Sequence, residues 1–104
     1  MIIKKTARFK KDFKKILRQR KDISHLQIVL NLLFEKEPID IKYQNHKLIK
    51  AKDFDDCYEL HIEPDWLLIY KYSKEEKILY LVRTGSHSDL YEQRPLWSFL
   101  SGII

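Results

Sequence analysis

Apolar side chains in the first third of the chain recur every three to four residues, which is the spacing of amphipathic helices. A first helix is predicted from Thr6 onward, and its apolar positions are Phe9, Phe13, Ile16 and Leu17. A second helix is predicted to begin at Asp22 or Ser24, either of which can cap it, and to run through Phe34 before Pro38 stops it. These two helices form a hairpin.

In the second half of the chain, residues 57–63 alternate between apolar and polar side chains, which is the two-residue period of a half-buried strand. The predicted strands span residues 2–6, 47–51, 57–63, 66–72 and 78–83. The first is an edge strand, and the fourth is apolar on both sides, as in a central strand. In the third strand the alternation directs His61 away from the helix-covered face.

The remaining segments complete an α+β fold within a single domain. A loop is predicted over residues 37–45, and a short helix from His87 to Tyr91. We therefore expect a curved, mainly antiparallel sheet with the two N-terminal helices on one face, the short C-terminal helix, and the active site on the other face. Residues 92–104 form an apolar extension, which we expect to dock on the domain of residues 1–91 or to meet a partner.

The positive charge is concentrated near the N-terminus. The formal net charge is +5, and ten of the twenty Lys and Arg residues lie between Lys4 and Lys21, against the single carboxylate of Asp12. On the predicted first helix, the basic positions proposed to contact RNA phosphates are Lys10, Lys11, Lys14 and Lys15. A solvated helix face is the simpler interpretation of this charge, and an acidic protein partner is a third. No apolar run is long enough to span a bilayer, which favours the cytoplasm.

Several histidines fall where a catalytic group is useful. His46 and His87 lie at the ends of predicted elements, and His61 lies on the open face of a strand. Imidazole titrates near neutral pH and suits proton transfer. Asp65 adds a carboxylate near His61, and Arg83 adds a fixed positive charge before the His87 loop. Each histidine taken alone is also compatible with a structural role, whereas their convergence favours a site.

Other chemistries find less support. A zinc site built from histidines and Asp65 is chemically allowed, but no two histidines have the spacing of a helical metalloprotease motif. With two glycines and one cysteine in the chain, phosphate-cradling loops and thiolate metal cages are not expected. Trp66 and Tyr91 can stack on an unstacked base, although a core role for Trp66 is equally compatible with its strand.

Two segments carry a family resemblance. His61-Ile-Glu-Pro-Asp-Trp-Leu-Leu-Ile-Tyr-Lys and Arg83-Thr-Gly-Ser-His-Ser-Asp-Leu-Tyr91 resemble the YafQ-like branch of the RelE superfamily of bacterial toxins. The resemblance includes the basic N-terminal helix and the segment from Tyr43 to Leu48, and it spans about residues 1–91. Tyr91 stands where phenylalanine is common in that branch.

The resemblance implies a type II toxin that enters the ribosomal A site and cleaves mRNA. In this chemistry, which needs no metal or cofactor, the ribose 2′-hydroxyl attacks the adjacent phosphorus and leaves a 2′,3′-cyclic phosphate. By matching motif, His87 is the general acid, His61 or Asp65 the base, His46 assists, and Arg83 offsets phosphorane charge. Trp66 and Tyr91 are implied to contact RNA. A cognate antitoxin, expected to be of the ribbon-helix-helix type with an acidic C-terminal segment, keeps the toxin inactive.

A second hypothesis from another class remains open. A basic protein that occupies RNA or the ribosome without cutting would also block translation. Mapping of mRNA 5′ ends separates the two hypotheses, because only cleavage creates new ends within reading frames.

Overall fold

The computed structural model describes residues 1–49 and 54–91, which begin with one strand and two long helices and continue with four strands and a short helix. In chain order they are β1 (Ile2–Lys5), α1 (Ala7–Arg18), α2 (Ile23–Phe34), a 3₁₀ turn (Ile41–Tyr43), β2 (His46–Lys47), β3 (Tyr58–Glu63), β4 (Trp66–Ser73), β5 (Ile78–Gly85) and α3 (His87–Tyr91). Within these residues, no helix is both long and apolar enough to cross a membrane.

Polar side chains determine where the two long helices begin. The hydroxyl of Thr6 accepts a hydrogen bond from the amide of Phe9 and donates one to the carbonyl of Val82, so the same group caps α1 and ties it to β5. Asp22 caps α2 by accepting from the amide of Ser24. The second helix ends at Phe34, and the backbone takes a positive φ two residues later at Lys36, so the helix stops before Pro38 is reached.

The sheet has the order β1-β5-β4-β3-β2, with β1 parallel to β5 and the other neighbours antiparallel. Across it, His46 lies opposite Glu59, Glu59 opposite Ile69, and Ile69 opposite Arg83. Residues that face each other in register project from the same face of a sheet. This row therefore crosses the face that carries the candidate site.

The two faces of the sheet are covered unequally. On one face α1 and α2 pack against β3, β4 and β5, and the buried residues of this core are Phe9, Ile16, Leu26, Val29, Leu60, Ile62, Trp66, Leu68, Tyr70, Leu79 and Leu81. On the other face a smaller cluster joins Phe54, Cys57, Leu67, Ile69 and Leu90 of α3. The second face thus keeps room for polar groups between its apolar contacts.

The predicted α+β fold is confirmed, including the edge strand, the central strand and the two helices on one face. Some local predictions were wrong. The strand expected over 47–51 is His46–Lys47, while Lys50 and Ala51 lie outside the described residues, and the last strand continues to Gly85. Leu17 was assigned to the apolar face of the first helix but is 50% exposed. The extension of residues 92–104 also lies outside the described residues, so its docking stays a prediction.

Candidate active site

His87 and Asp65 form a directly bonded pair at the start of α3. The Nδ1 of His87 donates to Oδ1 of Asp65 at 2.7 Å, and the backbone amide of His87 donates to the same oxygen at 3.0 Å. The amide and the ring of His87 together lower the pKa of Asp65. The carboxylate fixes the orientation of the imidazole and leaves its Nε2 directed away from the pair.

His61 lies beside His87 on the same face of the sheet. The centroids of the two rings are 5.4 Å apart, with the edge of one ring facing the other. His61 is much less accessible than His87, with 13% of its side chain exposed against 52%. Its Nδ1 is buried and makes no hydrogen bond within the described residues. The two imidazoles are close enough to reach different oxygen atoms of one phosphodiester group.

Glu59 connects three more groups of the site and was missed by the sequence reasoning. One of its oxygens lies 3.6 Å from Nε2 of His46 and 3.7 Å from Nε2 of His61. Its other oxygen accepts a hydrogen bond from the hydroxyl of Tyr91. Glu59 is only 5% exposed. A buried carboxylate needs such partners, because its desolvation is otherwise costly.

Tyr91 lies at the outer end of this network. Its ring packs edge-on against Phe54 at 6.2 Å between centroids, yet the residue remains exposed. Burial of the hydroxyl, together with the adjacent carboxylate of Glu59, raises the pKa of Tyr91. The hydroxyl therefore stays protonated and donates to Glu59, while the exposed part of the ring remains available for stacking.

Trp66 does not lie at the surface of the site, so its interpretation as a base-stacking residue was wrong. It is 0% exposed and belongs to the core between the sheet and the two helices. Its indole N–H donates to the hydroxyl of Thr84 at 2.9 Å. A ring enclosed in this way stabilises the fold and offers no face to a nucleotide.

Arg83, predicted to offset charge on the phosphorane, is paired with a carboxylate in this structure. Its Nε and an Nη atom donate to the carboxylate of Asp12 on α1, at 2.6 and 3.1 Å. The same carboxylate accepts from the backbone amide of Thr84 at 3.1 Å. This two-pronged ion pair neutralises Arg83 and joins α1 to β5.

Asp12→Ala is expected to destabilise the protein by about 2–3 kcal/mol, because it leaves the guanidinium of Arg83 and the amide of Thr84 without their partner in a nearly buried position. For a chain of this size each kcal/mol lowers the melting temperature by about 4–8 °C. Thermal unfolding followed by circular dichroism measures the shift. Glu75→Ala, in the exposed β4–β5 turn, is the control. Equal melting temperatures for the two variants would show that the Asp12–Arg83 ion pair contributes nothing to the stability of the fold.

The four lysines proposed to bind RNA lie on α1 but differ in their surroundings. Lys15 donates to Asp89 of α3 at 2.6 Å, which lowers the pKa of Asp89. Lys10, Lys11 and Lys14 are exposed. Lys11 and Lys15 also line an open depression with Arg8 and Arg18, next to Arg83. The basic surface of α1 therefore extends toward the start of α3.

The structure thus brings His46, His61, Asp65, His87 and Tyr91 to one face of the sheet, with Glu59 among them. The structure places Trp66 in the core between the sheet and the helices, and it pairs Arg83 with Asp12. The signal for Glu59 was present in the sequence, since the same alternation that directs His61 to this face directs Glu59 there too. In the part of the chain that the structure describes, no three His, Cys, Asp or Glu side chains are grouped so as to hold a metal ion.

Comparison with known proteins identifies similar chains. The family described as "Bacterial toxin of type II toxin-antitoxin system, YafQ" matches residues 1–92. The mRNA interferase toxin YafQ of Escherichia coli BL21-DE3 is 35% identical over 91 residues, which cover 86% of this chain and 94% of that protein.

Solved structures agree with this match. A metal-bound toxin from Helicobacter pylori superposes with a TM-score of 0.81 at 36% identity, covering 88% of this chain and 99% of that one. The E. coli DinJ–YafQ complex gives a TM-score of 0.76 at 33% identity, with 86% and 96% covered.

Proposed function

Because this chain belongs to the YafQ family of type II toxin–antitoxin toxins, we propose that it inhibits translation by cutting mRNA with the side chains on the open face of its sheet. Its relatives are named mRNA interferases, and the chain is accordingly an endoribonuclease. The observation that carries the proposed chemistry is the contact between His61 and His87, with Asp65 holding His87 in place.

In the proposed mechanism, the 2′-hydroxyl of the ribose attacks the adjacent phosphorus while a base accepts its proton. His61 is the better base, because both hydrogen bonds from His87 engage one oxygen of Asp65 and the lowered pKa of Asp65 weakens it as a proton acceptor. His87 then donates a proton to the departing 5′-oxygen. The reaction leaves a 2′,3′-cyclic phosphate and a 5′-hydroxyl, and requires no metal ion.

Asp65 in this mechanism positions the acid. Its negative charge compensates the positive charge of the protonated imidazole. The hydrogen bond from Nδ1 prevents the ring from rotating, and the hydrogen bond from the backbone amide of His87 holds the carboxylate in place. Glu59 positions His46 and His61 from the other side. Tyr91 contributes its exposed ring as a stacking surface. Arg83 acts on the phosphorane only if a ligand draws it from Asp12, so the proposal gives it no direct catalytic step.

The substrate and partners follow from the same family assignment. The exposed lysines of α1, Lys10, Lys11 and Lys14, are proposed to contact phosphates of mRNA or of ribosomal RNA. One related structure is a complex of YafQ with DinJ, and a cognate antitoxin is likewise proposed here, of the ribbon-helix-helix type with an acidic C-terminal segment. The cytoplasm, where mRNA is translated, remains the predicted location, and the ribosomal A site the predicted place of cleavage.

Mapping of mRNA 5′ ends after induced expression tests the proposed reaction. We expect new ends inside translated reading frames, and 2′,3′-cyclic phosphate on the matching upstream fragments, detected by ligation that depends on this terminus. Purified toxin added to a translation reaction is expected to give the same mRNA ends. Toxin from which bound metal has been removed with EDTA should give these ends too, at the usual magnesium concentration of the reaction. Growth arrest without new ends would instead support a non-catalytic protein that blocks the ribosome.

A further inference from the structure

A cavity of about 540 Å³ opens beside His61, between α2, the 3₁₀ turn and the end of β3. It forms here because, among the described residues, β2 pairs only with Tyr58 and Glu59, so β3 continues past the end of its neighbour. A volume of this size is in the range of small-ligand sites. His61 lines the cavity and also belongs to the catalytic group, so a molecule inside it lies next to the reacting phosphate.

We propose that this cavity binds one unstacked base of the RNA beside the cleaved phosphodiester, and that it sets the base preference of cleavage at that position. This inference rests on the proposed function and names the part of the substrate that the neighbouring pocket holds. Proteins that recognise single-stranded RNA commonly splay a base out, stack it on an aromatic ring and hydrogen-bond its edge.

The 3₁₀ turn supplies an aromatic ring and a cation. Tyr43 lines the cavity and is partly buried against the helix-side core, which holds its ring in place. The ammonium of Lys42 lies 5.1 Å from the centroid of this ring. An aromatic surface next to a positive charge suits a nucleotide, whose base stacks and whose phosphate needs a counterion.

Gln44 supplies the groups that can distinguish one base from another. Its residue is exposed and lines the cavity, and an amide side chain offers both donors and an acceptor to the edge of a base. Its carbonyl accepts a hydrogen bond from Nδ1 of His46 at 2.8 Å. The segment that reads the base is therefore attached to a histidine of the candidate active site.

The opposite wall of the cavity carries a carboxylate, Glu63, that is already engaged in a hydrogen bond. Nδ1 of His25 on α2 donates to the carboxylate of Glu63 at 3.0 Å. This bond closes the gap between α2 and the end of β3, and it reduces the repulsion that a free carboxylate would exert on a phosphate. His25 thereby shapes the wall of the proposed base pocket.

Two variants test the pocket in the complete chain. Gln44→Glu removes the amide donors at an exposed position, and we expect the preference for the favoured base next to the cut to fall about 5- to 100-fold in the 5′-end maps. Tyr43→Leu keeps apolar volume against the core but removes the ring, and we expect cleavage to fall about 5- to 100-fold at all sites. Ile41→Ala, on the same turn but 90% exposed and outside the cavity, is the matched control.

A binding measurement tests base recognition by the pocket independently of cleavage. Fluorescence polarisation is measured with four labelled homohexaribonucleotides and with protein in which His87→Ala prevents cleavage. We expect affinities that differ with the base, and differences that shrink when Gln44→Glu is added. The proposed base pocket would be overturned if Gln44→Glu left the base preference unchanged both in the 5′-end maps and in the binding measurement, even if cleavage occurs. Base-dependent binding without any new mRNA ends would support the base pocket and reject the proposed cleavage reaction.

If Tyr43→Leu fails to melt cooperatively, the variant is not folded and the test of the base pocket rests on Gln44→Glu, at an exposed position.

Discussion

His87→Ala is expected to lower the rate of mRNA cleavage about 10²- to 10⁴-fold and to abolish growth inhibition, because the general acid of the proposed reaction is lost. The change should leave folding nearly intact. The side chain of His87 is half exposed, so its removal creates no cavity in either core, and its backbone amide still donates to Asp65. Growth curves after induction, 5′-end maps and the melting temperature measure the three quantities.

The neighbouring residues supply matched variants for this experiment. Asp65→Asn keeps the size of the side chain but removes the negative charge beside His87, and we expect an intermediate loss because the ring remains. Ser88→Ala, one position later on α3, should behave as the original protein. Binding to the cognate antitoxin in a pull-down should be retained by all three. Full toxicity of the His87 variant would exclude His87 as the acid.

The placement of both candidate catalytic histidines, His61 and His87, was predictable because it depends on local rules. A strand alternates its side chains between two faces, so the pattern from Tyr58 to Glu63 directs His61 away from the helices. His87 follows the end of the last strand, where a chain leaving a sheet commonly carries functional groups. Neither inference requires knowledge of which segments are neighbours in space.

Trp66 shows where such local reasoning fails. The strand that it begins is apolar on both sides, so the sequence contains no alternation from which to choose a face. The face on which Trp66 lies is determined by the two-residue turn at Pro64 and Asp65. This turn pairs Glu63 with Trp66 and places the indole beside Thr84. The ion pair of Arg83 was not predictable for a related reason, because its partner Asp12 is 71 positions away and only the packing of α1 on β5 brings them together.

Glu59 is the opposite case, in which strand alternation is enough to place the residue on the correct face but its role depends on distant segments. β2 brings His46 opposite Glu59, and α3 brings Tyr91 over it. Alternation alone would have left Glu59 as a solvated carboxylate. Its burial arises only when three segments of the chain, β2, β3 and α3, converge.

Glu59→Gln is expected to lower cleavage by about 10²-fold while leaving the melting temperature unchanged or raised. The amide has the same shape and its oxygen can still accept from Tyr91, but the negative charge beside His46 and His61 is lost. The expected loss is moderate because these two contacts are longer than hydrogen bonds. Replacing a buried charge by a neutral group is often neutral or stabilising.

Opposite effects on activity and stability are what distinguish a functional charge from a structural one at this position. Tyr91→Phe provides the comparison, since it removes only the hydrogen bond to Glu59 and keeps the ring for stacking, and it should retain most of the cleavage rate. Single-turnover cleavage and thermal unfolding of the same preparations measure both quantities. If the Glu59→Gln protein cleaves at the wild-type rate, the carboxylate serves only as a hydrogen-bond partner of its neighbours. If both activity and stability are lost, the carboxylate is needed for the fold itself.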